Sequence, residues 1–279
     1  MIPAAFDYLA PSTVSEALAA LAAGGDDAKV LGGGQSLLPV LRMRLNAPER
    51  VVDLTRIESL RGISEDGDSL VIGAMTTHHE VATSELVRTH AAVLAEAAGT
   101  VADPQIRHRG TLGGALVHAD PAGDLGAPVL ALDAELVIAG AGGERRVPAR
   151  EFFVDLFQTA VGDDELLTAI RIPKHTGWGG AYEKFVRVSH QWSIVAVAAV
   201  APPGGSSRQA KVGLTNMGST PLRASATESA LAGGASVEDA SARAAEGASP
   251  PSDLNGDSEY RAHLATVLTR RALERAVGG

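Results

Sequence analysis

The 279-residue sequence contains no cysteine. Thiolates hold iron–sulfur clusters and paired thiols make disulfides, so the chain can form neither from its own side chains. Any cluster that serves it must sit on a partner. Clustered lysine and arginine are also missing, and the net charge is −9, which argues against nucleic acid as a partner. The longest smooth apolar stretch, residues 194–201, falls far short of the roughly 20 residues a membrane helix needs. The opening residues lack a basic segment followed by an apolar run, so a cytoplasmic protein with no transmembrane segment is expected. No Gly-x-x-x-x-Gly-Lys-Ser/Thr string supports a triphosphatase loop. Neither a Ser/His/Asp pattern nor a cysteine nucleophile is visible, so a bound cofactor has to supply the chemistry.

Two glycine-rich strings with hydroxyl residues among them are present: Lys29-Val-Leu-Gly-Gly-Gly-Gln-Ser-Leu37 and Arg109-Gly-Thr-Leu-Gly-Gly-Ala-Leu-Val-His118. Glycine allows backbone amides to approach a ligand with no Cβ in between, so two such loops can wrap a diphosphate from both sides. A dinucleotide is the implied ligand. The alternative is that both are plain turns.

At 45% apolar and 20% charged residues, the composition suits a globular chain of two or three compact units. An Ala/Leu-rich segment after Ser12, stopped by Gly24-Gly25, predicts a helix. Short strands are expected at 29–31, 51–54 and 69–73, and helices over 77–86 and 91–99, with Asp103-Pro104 breaking the pattern. Strands follow at 134–140, 145–148 and 166–173. Residues 173–180 have the composition of a linker. Beyond it, 181–188, 193–201 and 210–216 fit three antiparallel strands, and 258–277 fits a closing helix. The fold class expected is α+β.

The first glycine string partly matches a Gly-x-Gly-x-x-Gly fingerprint through Gly32 and Gly34, with Asp53 at a ribose-binding distance. Leu37 replaces the third glycine, however, and Pro39 is poorly placed for a helix emerging directly from the loop. His78-His79-Glu80 lacks the i, i+4 spacing of a zinc motif and reads as a solvated helix start. His108 and His118 flank the second string, placed either to polarise a ligand or to bond backbone. The residues therefore assign no metal site.

The strings Gly32-Gly-Gly-Gln-Ser-Leu-Leu-Pro39, Ile72-Gly-Ala-Met-Thr-Thr77, Asp103-Pro-Gln-Ile-Arg-His-Arg-Gly-Thr-Leu-Gly-Gly114, His118-Ala-Asp-Pro121 and Tyr182-Glu-Lys-Phe-Val-Arg187 carry a further signal. With them the chain resembles, over essentially its whole length, the FAD-binding medium subunits of molybdenum hydroxylases, in particular the carbon monoxide dehydrogenase branch. The resemblance implies an FAD domain of the vanillyl-alcohol-oxidase type, residues 1–175, with subdomains of about 1–57 and 58–175. It also implies a C-terminal domain, 176–279, of a small three-stranded antiparallel sheet plus a helical bundle. The cofactor positions it implies are Leu31, Gly32, Gly33, Gly34, Gln35, Ser36 and Leu37 in the first string, and Ala102, Ile106, Gly110, Thr111, Gly113, Gly114 and Ala115 in and before the second. Asp124, Leu167 and Lys184 complete that set, with Trp192 stacking on the flavin. Where the family commonly has an Asp-aromatic pair, this chain has Gln191-Trp192.

By the same resemblance, two [2Fe–2S] clusters belong to a small subunit and molybdopterin cytosine dinucleotide with molybdenum to a large one, in a dimer of heterotrimers. Electrons would leave through FAD to an external acceptor such as quinone, at the inner face of the membrane. The other functions weighed are an aldehyde, purine or N-heterocycle hydroxylase subunit, a stand-alone flavin oxidase and a non-catalytic dinucleotide-binding regulator.

Overall fold

The computed structural model describes residues 2–278; Met1 and Gly279, the outermost residues of the two expected domains, lie outside the described residues. Among the described residues, three larger sheets form in succession along the chain, with a two-stranded hairpin sheet besides. The first is parallel, with Arg50–Asp53 between Asp7–Leu9 and Ala28–Leu31. Helix Val14–Gly24 provides its crossover. The cap of that helix is Thr13, whose hydroxyl accepts from the Glu16 amide, while Ser12 holds the Glu16 carboxylate. Ala17 and Leu21 pack on Val52, Leu54 and Ile57 to make a small core.

The second sheet is antiparallel, in the order Ile63–Asp66, Ser69–Gly73, Leu166–Pro173, Glu135–Gly140, Gly143–Pro148. Its central strand is the last in sequence, so the helices between residues 78 and 131 are gathered before the sheet can close. The helix expected over 77–86 is two helices, His78–Thr83 and Glu85–His90, divided at Ser84, which caps the second. Asp103-Pro104 begins a turn of helix instead of only breaking one. The Asp103 carboxylate caps the Ile106 amide, and proline occupies the first helical position, where its missing N–H costs nothing.

The third sheet is antiparallel and has four strands, not the three expected: Gly179–Phe185, Val195–Ala201, Lys211–Thr215 and Leu222–Arg223. A two-residue edge strand carries no periodicity, so hydropathy could not reveal it. Helices Ser225–Ala232, Val237–Ser241 and Ser258–Gly278 accompany this sheet, and the last lies along its first two strands. Val195–Ala201 is buried on both faces. Ala196, Ala198 and Val200 enter the core of the middle unit, whereas Val195, Val197, Ala199 and Ala201 enter the C-terminal core. A strand buried on both sides reads as a continuous apolar run, and here the run is the seam that joins the two units. Among the described residues, no helix is long and apolar enough to cross a membrane.

Candidate cofactor site

The first glycine string connects strand Ala28–Leu31 to helix Leu37–Arg42. Pro39 is accommodated because it stands in the first turn of that helix, where amides have no intrahelical acceptor. Gly34 takes φ +77°, a conformation that favours glycine, and the Gln35 side-chain amide folds back onto the Gly33 carbonyl at 2.9 Å. The amides of Gly33, Gly34, Gln35 and Ser36 donate to no acceptor among the described residues. Four consecutive amides are thus left available to an anion, as in backbone anion nests.

The second string is organised differently. It enters helix Leu112–His118, which the Thr111 hydroxyl caps through the Gly114 amide at 3.2 Å. The amides of Gly110, Leu112 and Gly113 are committed to the carbonyls of Ile106, Thr76 and Ala74 at 2.7–2.9 Å. Only the Thr111 amide remains free within this stretch. The two loops are thus not equivalent cradles: the first presents donors, and the second closes over it. A Cβ on Gly33 would fall on the Arg109 carbonyl oxygen and lie 2.6 Å from the Gly110 Cα, and a Cβ on Gly32 would lie 3.1 Å from the Thr111 hydroxyl. Glycine at position 33 is what lets the backbones touch.

Between these loops lies a cavity of about 850 Å³. Its walls include Gly32, Gly33, Gly34, Gln35, Ser36 and Leu37 from one side, Gly110, Thr111, Gly113, Gly114 and Ala115 from the other, and Leu167 from the central strand of the middle sheet. A third wall, 157–163, had no warning in the sequence. It is the end of the hairpin Phe153–Asp155 and Gln158–Thr159, with Phe157 at φ +55° beside the His118 ring. Lys29, Asn46 and Met75 also reach the cavity without having been singled out.

The remaining expected positions lie outside the cavity wall. Leu31 ends the strand next to it. Asp124 and Lys184 pair with each other at 2.8 Å in the seam between the units. Asp124 also accepts from the Tyr182 hydroxyl at 2.8 Å and the Ser193 hydroxyl at 2.9 Å, and Lys184 donates to the Thr100 carbonyl. Burial and the Asp124 carboxylate hold the Tyr182 phenol well above its ordinary pKa, so it remains a donor. Ala102, at φ +38°, accepts from the Arg107 guanidinium and is 2.9 Å from His190 Nδ1; Ile106 sits half-buried in the turn that follows. Trp192 is neither on a strand nor in a core: it lies in the connection before Val195–Ala201 and is 58% exposed.

Two other readings of the sequence are corrected. Asp53 is consumed locally, accepting from the Tyr8 hydroxyl at 2.6 Å and the Thr55 amide at 2.8 Å, and does not await a ribose. His78 is no solvated helix start. Its ring is buried on the cavity wall, with burial and then Arg107 lowering its pKa to about 4, whereas His79 stacks on His108 at 3.9 Å on the other side.

This combination of an open-amide loop, a closing glycine helix and an antiparallel sheet behind them defines a dinucleotide-cradling flavoprotein fold, and comparison with known families agrees. Residues 4–175 match the FAD binding domain in molybdopterin dehydrogenase, and residues 180–276 match the CO dehydrogenase flavoprotein C-terminal domain. The chain belongs to this family of FAD-binding molybdopterin dehydrogenase subunits. It is 40% identical to the carbon monoxide dehydrogenase medium chain of Hydrogenophaga pseudoflava over 99% of this chain and 98% of the relative. The medium chain from Afipia carboxidovorans is 42% identical with the same coverage. A solved carbon monoxide dehydrogenase from Hydrogenophaga pseudoflava that lacks the Mo-pyranopterin moiety of the molybdenum cofactor superposes with a TM-score of 0.95 at 42% identity, covering 100% of this chain and 99% of that one.

Proposed function

We propose that this chain is the FAD-carrying electron-transfer subunit of a molybdenum hydroxylase whose substrate is carbon monoxide. It would take electrons from [2Fe–2S] clusters on a small partner subunit and pass them to an external acceptor such as quinone. The observation that carries the cofactor assignment is the row of four unspent amides, Gly33 to Ser36, on the wall of a cavity large enough for a dinucleotide. Identity of 40–42% along the full length to two carbon monoxide dehydrogenase medium chains supports the choice of complex. The absence of cysteine supports clusters carried elsewhere. The proposal further places molybdopterin cytosine dinucleotide on a large subunit, in a dimer of heterotrimers at the inner membrane face.

Bound FAD supplies the capacity to store two electrons and release them singly. The chain's own residues bind and orient it. The amides of the first loop would hydrogen-bond the diphosphate, and Gly114 and Ala115 would leave space opposite. In this reading Ala102, Ile106, Asp124, Lys184 and Trp192 flank the flavin end. What supports this for Ala102, Asp124 and Lys184 is that the Lys184–Asp124 pair and the His190–Ala102 contact bring them to the seam; Ile106 and Trp192 are assigned by the family resemblance.

The isolated chain is expected to retain one non-covalent FAD, reducible by dithionite and reoxidisable, and to oxidise neither carbon monoxide nor an aldehyde. Flavin absorbance after gel filtration and turnover assays with and without the co-expressed subunits provide the check. Turnover by the polypeptide alone would identify a stand-alone oxidase. A second expectation concerns Trp192→Ala. Because the side chain is largely exposed, stability should change by no more than about 0.5 kcal/mol. Flavin fluorescence and reoxidation rate should change if the indole stacks on the ring. Wild-type flavin spectra in this variant would remove Trp192 from the site.

A further inference from the structure

The buried imidazole of His78 has no task within the protein. Its backbone is occupied, since the amide donates to the Gly110 carbonyl at 3.0 Å and so ties the start of helix His78–Thr83 to the second glycine loop. The side chain is only 4% exposed and lines the cavity. Nδ1 is sealed from solvent and has no hydrogen-bond partner. Among the described residues Nε2 has no partner either, but it is not sealed, so it is the ring nitrogen with access to the cavity. The room for this edge comes from a glycine: a Cβ at position 110 would stand 2.8 Å from both His78 Cδ2 and Nε2. Gly110 also touches Gly33, the first residue of the open-amide row. His78 is thereby placed where the two loops meet.

The unpaired Nδ1 decides the tautomer. A sealed N–H without an acceptor is costlier than an acceptor without a donor, so the ring proton belongs on Nε2. Burial keeps the ring neutral with this one N–H, which faces a cavity whose opposite wall is built to receive an anion.

We propose that His78 is a further cofactor ligand, its Nε2–H donating to the diphosphate of FAD from the second loop's side of the cavity. The proposal rests on FAD occupying this cavity. It gives the second loop a donor that its own committed amides cannot supply, and it gives Nε2 a partner while the sealed Nδ1 stays unprotonated.

The test uses the full chain stripped of flavin and titrated with FAD and with ADP, which shares the diphosphate but lacks the flavin. His78→Phe retains the ring volume and removes the donor. It should weaken both ligands by about tenfold or more, the range for losing a hydrogen bond to a charged group, without lowering the melting temperature of the apoprotein. His78→Gln, which keeps an N–H, should recover most of the affinity. In wild-type chain labelled with 15N-histidine, adding FAD or ADP should shift one imidazole Nε2–H signal and slow its exchange. This readout holds even if a variant fails to fold. Unchanged affinity in His78→Phe, loss for FAD but not ADP, or an imidazole signal that ignores both ligands would each overturn the proposal. Failure of the wild-type chain to bind FAD would instead overturn the site itself.

Discussion

Replacing Gly33 by valine should abolish FAD retention, and the structure identifies the first thing the new side chain meets as protein. Its Cβ would overlap the Arg109 carbonyl oxygen and stand 2.6 Å from the Gly110 Cα. Backbone cannot rotate away as a side chain can, so the two loops must separate. The cost is expected at the upper end of overpacking effects, about 3 kcal/mol or more. Gly113→Val should behave alike, because its Cβ would lie 2.6 Å from Ala74 Cβ and 2.7 Å from Ala74 O. Gly99→Ala is the control. It sits in helix Ala92–Thr100 with nothing within 4 Å of the added carbon, and should keep its flavin and gain up to about 1 kcal/mol of helix propensity. Flavin content and denaturant melts of holo- and apoprotein measure both effects. If Gly33→Val loses flavin while the apoprotein melts as wild type, the glycine serves ligand approach alone and loop packing is not its reason.

Asp124→Ala should destabilise the chain by about 3–5 kcal/mol, the second large effect. The carboxylate is buried and balances Lys184, and two hydroxyls, of Tyr182 and Ser193, also point their hydrogens at it. Removing it leaves an ammonium inside with only the Thr100 carbonyl as a partner. Adding Lys184→Met should restore part of the loss, because the uncompensated charge then disappears. Urea unfolding of the single and double variants tests this. Additive losses would show that the two side chains act independently. Since Tyr182, Lys184 and Ser193 belong to the C-terminal unit and Asp124 to the middle one, the variant should also loosen the seam, detectable as faster hydrogen exchange in Val195–Ala201.

The two glycine loops that line the cavity are legible in the sequence. Gly32-Gly-Gly-Gln-Ser36 and Gly110-Thr-Leu-Gly-Gly114 announce themselves because a run of small residues between a strand and a helix has few other uses. What could not be read was the division of labour between them, since it depends on which amides find acceptors in Ala74, Thr76 and Ile106, residues distant along the chain or hidden in a tight turn. His78 was misread for a related reason. Its sequence neighbours Thr77 and Glu80 form a capping box typical of an exposed helix start, and nothing local shows that Gly110 packs against the ring. Hairpin 153–159 escaped because its strands are two and three residues long.

Local chemistry along the chain determined the α+β character, the absence of thiolate ligands and the two loops suited to a diphosphate, because these depend on residue type, short spacing and backbone freedom. Tertiary structure alone decided that Val195–Ala201 is a seam shared by two cores, that Asp124 and Lys184 neutralise each other across it, and that a buried imidazole faces the cavity. Each of these is a meeting of residues far apart in sequence. Burial and pairing are properties of what surrounds a side chain, and only the closed fold supplies those surroundings.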